Sequence, residues 1–148
     1  MSNKLQAFTT IVPFWQPRVA PIKLDDANTQ QREALKITPS NTKVSEYVLV
    51  LARDPETLLA RTPLFNAIMY NRGGMSRAER ELSATGASVV NNCVYCAAVH
   101  ASRYNMLTKE ESVMASVFAD GADAELDERQ GAILRFSMKL SSTPPEVT

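Results

Sequence analysis

Cysteine and histidine are scarce in this chain: two of the first and one of the second in 148 residues. Excess charge of either sign is missing too, because sixteen Lys and Arg are cancelled by sixteen Asp and Glu. With no net charge and no basic run, the nucleic-acid-binding footprint is absent. No segment approaches the roughly 20 apolar residues needed to span a bilayer, so no membrane partner is expected. The stretch Met1–Phe8 has neither a continuous apolar core nor a small-residue cleavage site, and does not read as a signal peptide. Two cysteines three positions apart cannot staple a secreted fold, which would use more of them, spaced further apart. The expected compartment is a reducing cytoplasm, where a close cysteine pair is redox-active or metal-binding.

What is present is concentrated. Both cysteines and the single histidine fall in one stretch, Cys93-Val94-Tyr95-Cys96-Ala97-Ala98-Val99-His100. A Cys-x-x-Cys pair on a helix can close and reopen as a disulfide, and a His one turn further along can move the protons such chemistry requires. Hydrophobic residues make up 45% of the chain, enough to bury a sizeable core, and the length suits one domain.

Two regions differ in character. Residues 1–42 carry Pro13, Pro17, Pro21 and Pro39 among polar residues, and proline favours extended chain. This part reads as an extended N-terminal arm with a short helix around Asp25–Leu35. Its apolar Phe8, Ile11, Val12, Phe14 and Trp15 call for docking onto the helical body or a neighbouring subunit. Residues 43–148 read as a helical domain. Ser45–Ala52 is short and apolar; Asp54 caps and Pro55 opens a helix to about Tyr70, with Pro63 a point of kinking. Ser76-Arg77-Ala78-Glu79 is a capping box opening a helix to about Val90 with Leu82, Thr85, Gly86, Val89 and Val90 as its packing stripe. Asn91-Asn92 ends it, and Asn92 is expected to cap the next helix, from Cys93 to about Met106. Thr108-Lys109-Glu110-Glu111 reads as a second capping box, starting a helix to about Phe118. Asp120–Asp123 reads as a loop and Asp127–Leu140 as the last helix, stopped by Thr143-Pro144-Pro145. No sustained alternation marks a strand, so the expected fold class is all-α.

The chemistry follows from that placement. With Asn92 as the cap, the free amides and dipole of the helix start face Cys93 and favour its thiolate. Cys96 lies one turn on, and His100 follows it by four residues, the spacing of side-chain neighbours. An αα-hairpin at Asn91-Asn92 brings a carboxylate within reach of His100. At about 1.5 Å per residue, Glu81 lies roughly 15 Å and His100 roughly 11 Å from the reversal, so they meet directly or through one water. Glu81 would fix the tautomer of His100 and raise its basicity. Glu79 is better explained as the capping-box partner, and Tyr95 as packing.

Ser76-Arg77-Ala78-Glu79-Arg80-Glu81-Leu82 followed by Asn91-Asn92-Cys93-Val94-Tyr95-Cys96-Ala97-Ala98-Val99-His100 resembles the core of the alkylhydroperoxidase D-like / carboxymuconolactone decarboxylase superfamily, over roughly Ala52–Thr143. The paired cysteines look like its peroxidase side, and the arm like its longer, peroxidase-related members. The resemblance implies an all-α helical bundle, a homo-oligomer (dimer, trimer or hexamer), and reduction of a small-molecule hydroperoxide by a dithiol. Carried over, Cys96 becomes the sulfenic acid, Cys93 resolves it, and Glu81 and His100 form the proton relay. The external dithiol is a thioredoxin-like or lipoyl-type donor, and no cofactor or metal is called for. Helix-end physics points to Cys93 as the more acidic thiol; the resemblance, and the nearness of His100, favour attack at Cys96.

Two departures stand out. The best-known hydroperoxidase members carry a second His where this chain has Tyr95, which leaves the electron donor open. Long members also continue past the Thr-Pro break into another helix, whereas this sequence stops at Glu146-Val147-Thr148, as if at the start of one. Alternative readings use the same residues: a general disulfide oxidoreductase or redox sensor, a metal site formed by Cys93, Cys96, His100 and Glu81 in a helical oligomer, or a non-catalytic relic. Decarboxylation of a muconolactone does not depend on this cysteine pair.

Overall fold

The computed structural model describes residues 7–14, 16–36 and 44–147. All regular structure among them is helical: α1 (Thr29–Leu35), α2 (Glu46–Leu51), α3 (Pro55–Tyr70), α4 (Arg77–Val90), α5 (Val94–Thr108), α6 (Glu111–Asp120), a 3-10 turn (Gly121–Asp123) and α7 (Glu128–Ser141). The all-α expectation holds. The expected boundary at 42/43, like Trp15 and Pro39, lies outside the described residues. Two compact units are formed, one from Met1–Phe14 with Gly73–Thr148, the other from Trp15–Arg72.

In the unit from Trp15–Arg72, local chemistry sets the helix ends. Asn28 and Gln31 form a reciprocal capping box at α1. Ser45 caps α2. Asp54 accepts from the Thr57 amide at 3.1 Å and from its hydroxyl at 2.6 Å, with Pro55 in the first turn of α3. α3 continues through Pro63 to Tyr70, and just before it the Thr62 hydroxyl donates to the Leu58 carbonyl at 2.7 Å. Ala34, Ala52 and Leu58 are buried together, with Ile22, Leu35, Val48, Leu51 and Leu59 against them. The extended chain before α1 is tied down: the Ile22 amide donates to the Leu49 carbonyl at 3.2 Å, and Arg53 donates to the Ala20 carbonyl at 2.8 Å.

In the other unit α4 is the middle helix, packing along α5 on one side and α7 on another. Its core joins Leu82, Ala101, Tyr104, Val113, Met114, Val117, Ala124 and Leu134. Gly86 marks the closest approach of α4 and α7: a Cβ there would overlap Ser137 Oγ and sit 3.0 Å from Leu134 Cδ1. Phe8 stacks on Phe118 with ring centroids 5.7 Å apart. Ile11 and Phe14 remain exposed. Among the stripe residues expected on α4, Leu82, Thr85 and Gly86 are buried while Val89 and Val90 are half-buried; Glu81 and Ser88 are buried with the first three.

Two expected helix starts are corrected. Asn92 is not a cap: it has φ 52°, and its amide donates to the Val89 carbonyl while the Cys93 amide donates to that of Ser88 at 2.9 Å. That is the Schellman closure of α4, with Asn92 in the left-handed position that follows a helix. The cap of α5 is therefore Cys93, and the helix begins at Val94 and runs to Thr108. Thr108 forms no capping box either. It is still helical, its hydroxyl donates to the Tyr104 carbonyl and accepts from the Glu110 amide, and α6 starts at Glu111 with no side-chain cap.

Candidate active site

The Ser76 capping box starts α4: the Glu79 amide donates to Ser76 Oγ at 3.2 Å and the Ser76 amide donates to Glu79 Oε2 at 2.6 Å. One turn later Glu81 points inward and is only 1% exposed. The Schellman turn reverses the chain, and α5 returns alongside with His100. The imidazole Nδ1 lies 2.6 Å from Glu81 Oε2, a direct contact of the kind expected for the hairpin. An ionised carboxylate only accepts hydrogen bonds, so Nδ1 carries the proton and donates it to Glu81. In the neutral imidazole Nε2 is then the nitrogen without a hydrogen.

The second carboxylate oxygen is taken as well. Arg77, in the first turn of α4, donates to Glu81 Oε1 through Nε at 2.8 Å and through Nη2. The carboxylate is thus divided, Oε1 to Arg77 and Oε2 to His100. Burial pushes the Glu81 carboxyl up, but the hydrogen bonds from His100 and Arg77 outweigh it and hold the group below its ordinary value. Arg77 is the residue that sequence reading missed. Its only signal was an i,i+4 spacing from Glu81, which on most helices marks a surface pair.

Cys93 and Cys96 are joined in a disulfide with Cα atoms 5.3 Å apart. Cys93 Sγ also accepts the Cys96 amide at 3.3 Å, standing where a Ser or Asp side-chain oxygen would cap a helix. Cys93, Cys96 and His100 are all half-buried. His100 follows Cys96 by one helical turn on the same continuous helix. Glu79 serves its capping role and in addition pairs with Arg129 of α7. That hydrogen bond leads the causes holding its carboxyl down at about 2. Among the described residues no group of three or more His, Cys, Asp or Glu side chains is arranged to hold a metal ion. No helix among them is long and apolar enough to cross a membrane.

A two-helix hairpin carrying a Cys-x-x-Cys disulfide at the head of one arm and a carboxylate–imidazole pair across the arms places the chain among all-helical proteins with a disulfide beside an acid–histidine pair. The chain belongs to the carboxymuconolactone decarboxylase family, whose sequence model matches residues 55–134 and so includes both arms of the hairpin. Its fold is similar to a crystal structure described as an alkylhydroperoxidase AhpD core, a peroxidase-related protein from Ralstonia eutropha JMP134. The two share 26% identity with a TM-score of 0.75, over 90% of this chain and 72% of that one. No curated protein matches this chain.

Proposed function

We propose that this protein is a thiol-dependent peroxidase that reduces small hydroperoxides through the Cys93–Cys96 dithiol/disulfide cycle, with Glu81 and His100 as proton relay. The observation that carries the reading is the disulfide at the start of α5 one turn before an imidazole that is already bonded to a buried carboxylate. The family and the peroxidase-related neighbour support it.

In the reduced protein, His100 Nε2 takes the proton of the Cys96 thiol. The Cys96 thiolate attacks the distal oxygen of the hydroperoxide; the S–O bond forms, the O–O bond breaks, and the alkoxide leaves as alcohol with the proton from His100. Cys96 is now a sulfenic acid. Cys93 attacks its sulfur, the S–S bond forms and water departs. The helix-start amides favour thiolate at Cys93, which is what this resolving step needs. The acidity argument for Cys93 and the attack at Cys96 are therefore compatible. An external dithiol of thioredoxin or lipoyl type then restores both thiols by exchange and leaves as its own disulfide. The balance is one hydroperoxide and one dithiol giving one alcohol, one water and one disulfide. A homo-oligomer working in the cytoplasm completes the reading.

The test is stopped-flow oxidation of the reduced protein by an organic hydroperoxide. Loss of both thiols far faster than free cysteine at the same pH supports peroxidase action. A rate no greater than free cysteine, with rapid exchange against a small disulfide, makes the protein a general disulfide oxidoreductase instead.

A further inference from the structure

We propose that Arg77 is a positioning residue that sets the tautomer of His100 by holding Oε1 of Glu81. The proposal rests on the peroxidase reading only for its kinetic consequence. Its geometry is the divided carboxylate: two Arg77 nitrogens on Oε1, the imidazole Nδ1 on Oε2. Glu81 is buried on the inner face of α4, and desolvation favours the protonated, neutral form of a carboxyl so placed. A protonated Glu81 has a hydrogen to give. It could then donate to Nδ1, and the imidazole proton would move to Nε2, the nitrogen that has to receive the thiol proton. Arg77 blocks that inversion. Its charge and its two N–H groups keep Glu81 an acceptor, so in the neutral imidazole Nδ1 remains the donor and Nε2 the bare nitrogen.

The helix dipole works against Arg77 at this position. Arg77 is the first residue of α4, where the positive end of that dipole disfavours a cation. The other acid of that turn, Glu79, is already engaged by the Ser76 amide and by Arg129. A cation placed against the local dipole is held there in part by the two bonds it gives to the buried carboxylate.

The chain has a single histidine, so protein labelled with ¹⁵N-histidine gives one imidazole, and its two nitrogen shifts report the tautomer directly. The wild type, Arg77→Met and Arg77→Lys are compared, each checked for helical content by far-ultraviolet circular dichroism. The wild-type neutral imidazole is expected in the Nδ1–H form. Arg77→Met shifts it toward the Nε2–H form that a histidine side chain in water prefers and slows peroxide oxidation of the thiols by roughly 10- to 100-fold, the cost that losing an orienting partner carries at metal-bound histidines. Arg77→Lys, which keeps the charge but loses the fork, restores part of both. A wild-type tautomer in Arg77→Met overturns the proposal, whatever the rates. If the tautomer follows Arg77 while the wild type reacts with peroxide no faster than free cysteine, the positioning stands and the peroxidase reading falls.

Discussion

Glu81 Oε2 and His100 Nδ1 meet at 2.6 Å across the two arms of the α4–α5 hairpin. The contact joins residues nineteen apart in sequence, and it works only because the Schellman turn at Asn92 fixes the register of the returning helix. Glu81→Gln keeps the side-chain volume but removes the charge that holds the imidazole. Peroxide oxidation of the reduced thiols is expected to slow by roughly 10- to 100-fold, measured by single-turnover stopped flow. Because Arg77 acts through Glu81, adding Arg77→Met to Glu81→Gln should cost little more than Glu81→Gln alone. Full additivity of the two would show that Arg77 works by a separate route.

The proposed mechanism gives the two sulfurs distinct duties, and each can be isolated. Cys93→Ser retains a hydroxyl able to cap α5 but has no thiol to resolve with, so peroxide should leave a sulfenic acid on Cys96. Mass spectrometry after trapping with a sulfenic-acid reagent reads it as an added mass on the peptide holding residue 96. In Cys96→Ser the same treatment should label little. The reverse pattern exchanges the roles, and makes the helix-start acidity of Cys93 the deciding factor for attack.

Much of this was legible in the residues. Asp54-Pro55, Ser76 with Glu79, and Asp127 each place a helix start where the structure has one, because capping is local chemistry that tertiary packing leaves alone. The Glu81–His100 contact was legible from hairpin arithmetic alone. Asn92 was misread because Asn suits both a helix cap and the left-handed residue after a helix. The Ser88–Cys93 hydrogen bond decides between them, and no local pattern announces it. Thr108 to Glu111 has the look of a capping box, yet a box needs its first residue extended, and Thr108 ends α5 as a helical residue with Lys109 following at φ 64°. Arg77 gained meaning only once Glu81 was seen to be buried, which depends on how α5 covers α4.

Gly86 tests that packing on the other side of α4. An alanine there gains about 1 kcal/mol of helix propensity. It also forces a methyl against Ser137 Oγ and Leu134 Cδ1, and overpacking of this kind costs about 1–3 kcal/mol. The net expectation for Gly86→Ala is a loss of up to about 2 kcal/mol, read from the midpoint of urea unfolding. Removing the obstructing oxygen in Gly86→Ala/Ser137→Ala should recover part of it. A single variant more stable than the wild type would mean that α7 yields easily at this crossing.

Acid should weaken the Glu79–Arg129 tie between α4 and α7 in a definite window. The hydrogen bond from Arg129 leads the causes that bring the Glu79 carboxyl from its ordinary 4.5 down to about 2 in the folded protein. A carboxyl depressed by folding lends stability that is complete above its unfolded value and is lost as pH falls through the folded one. The contribution of Glu79 is therefore full above about pH 4.5 and fades toward pH 2. Glu79→Gln lacks it throughout. Its melting temperature should lie below that of the wild type at neutral pH, and the gap should close between pH 4.5 and 2. Arg129 is largely exposed, so the gap at neutral pH is also expected to shrink with added salt. A gap unchanged across the acid range would remove ionised Glu79 from the forces joining these helices.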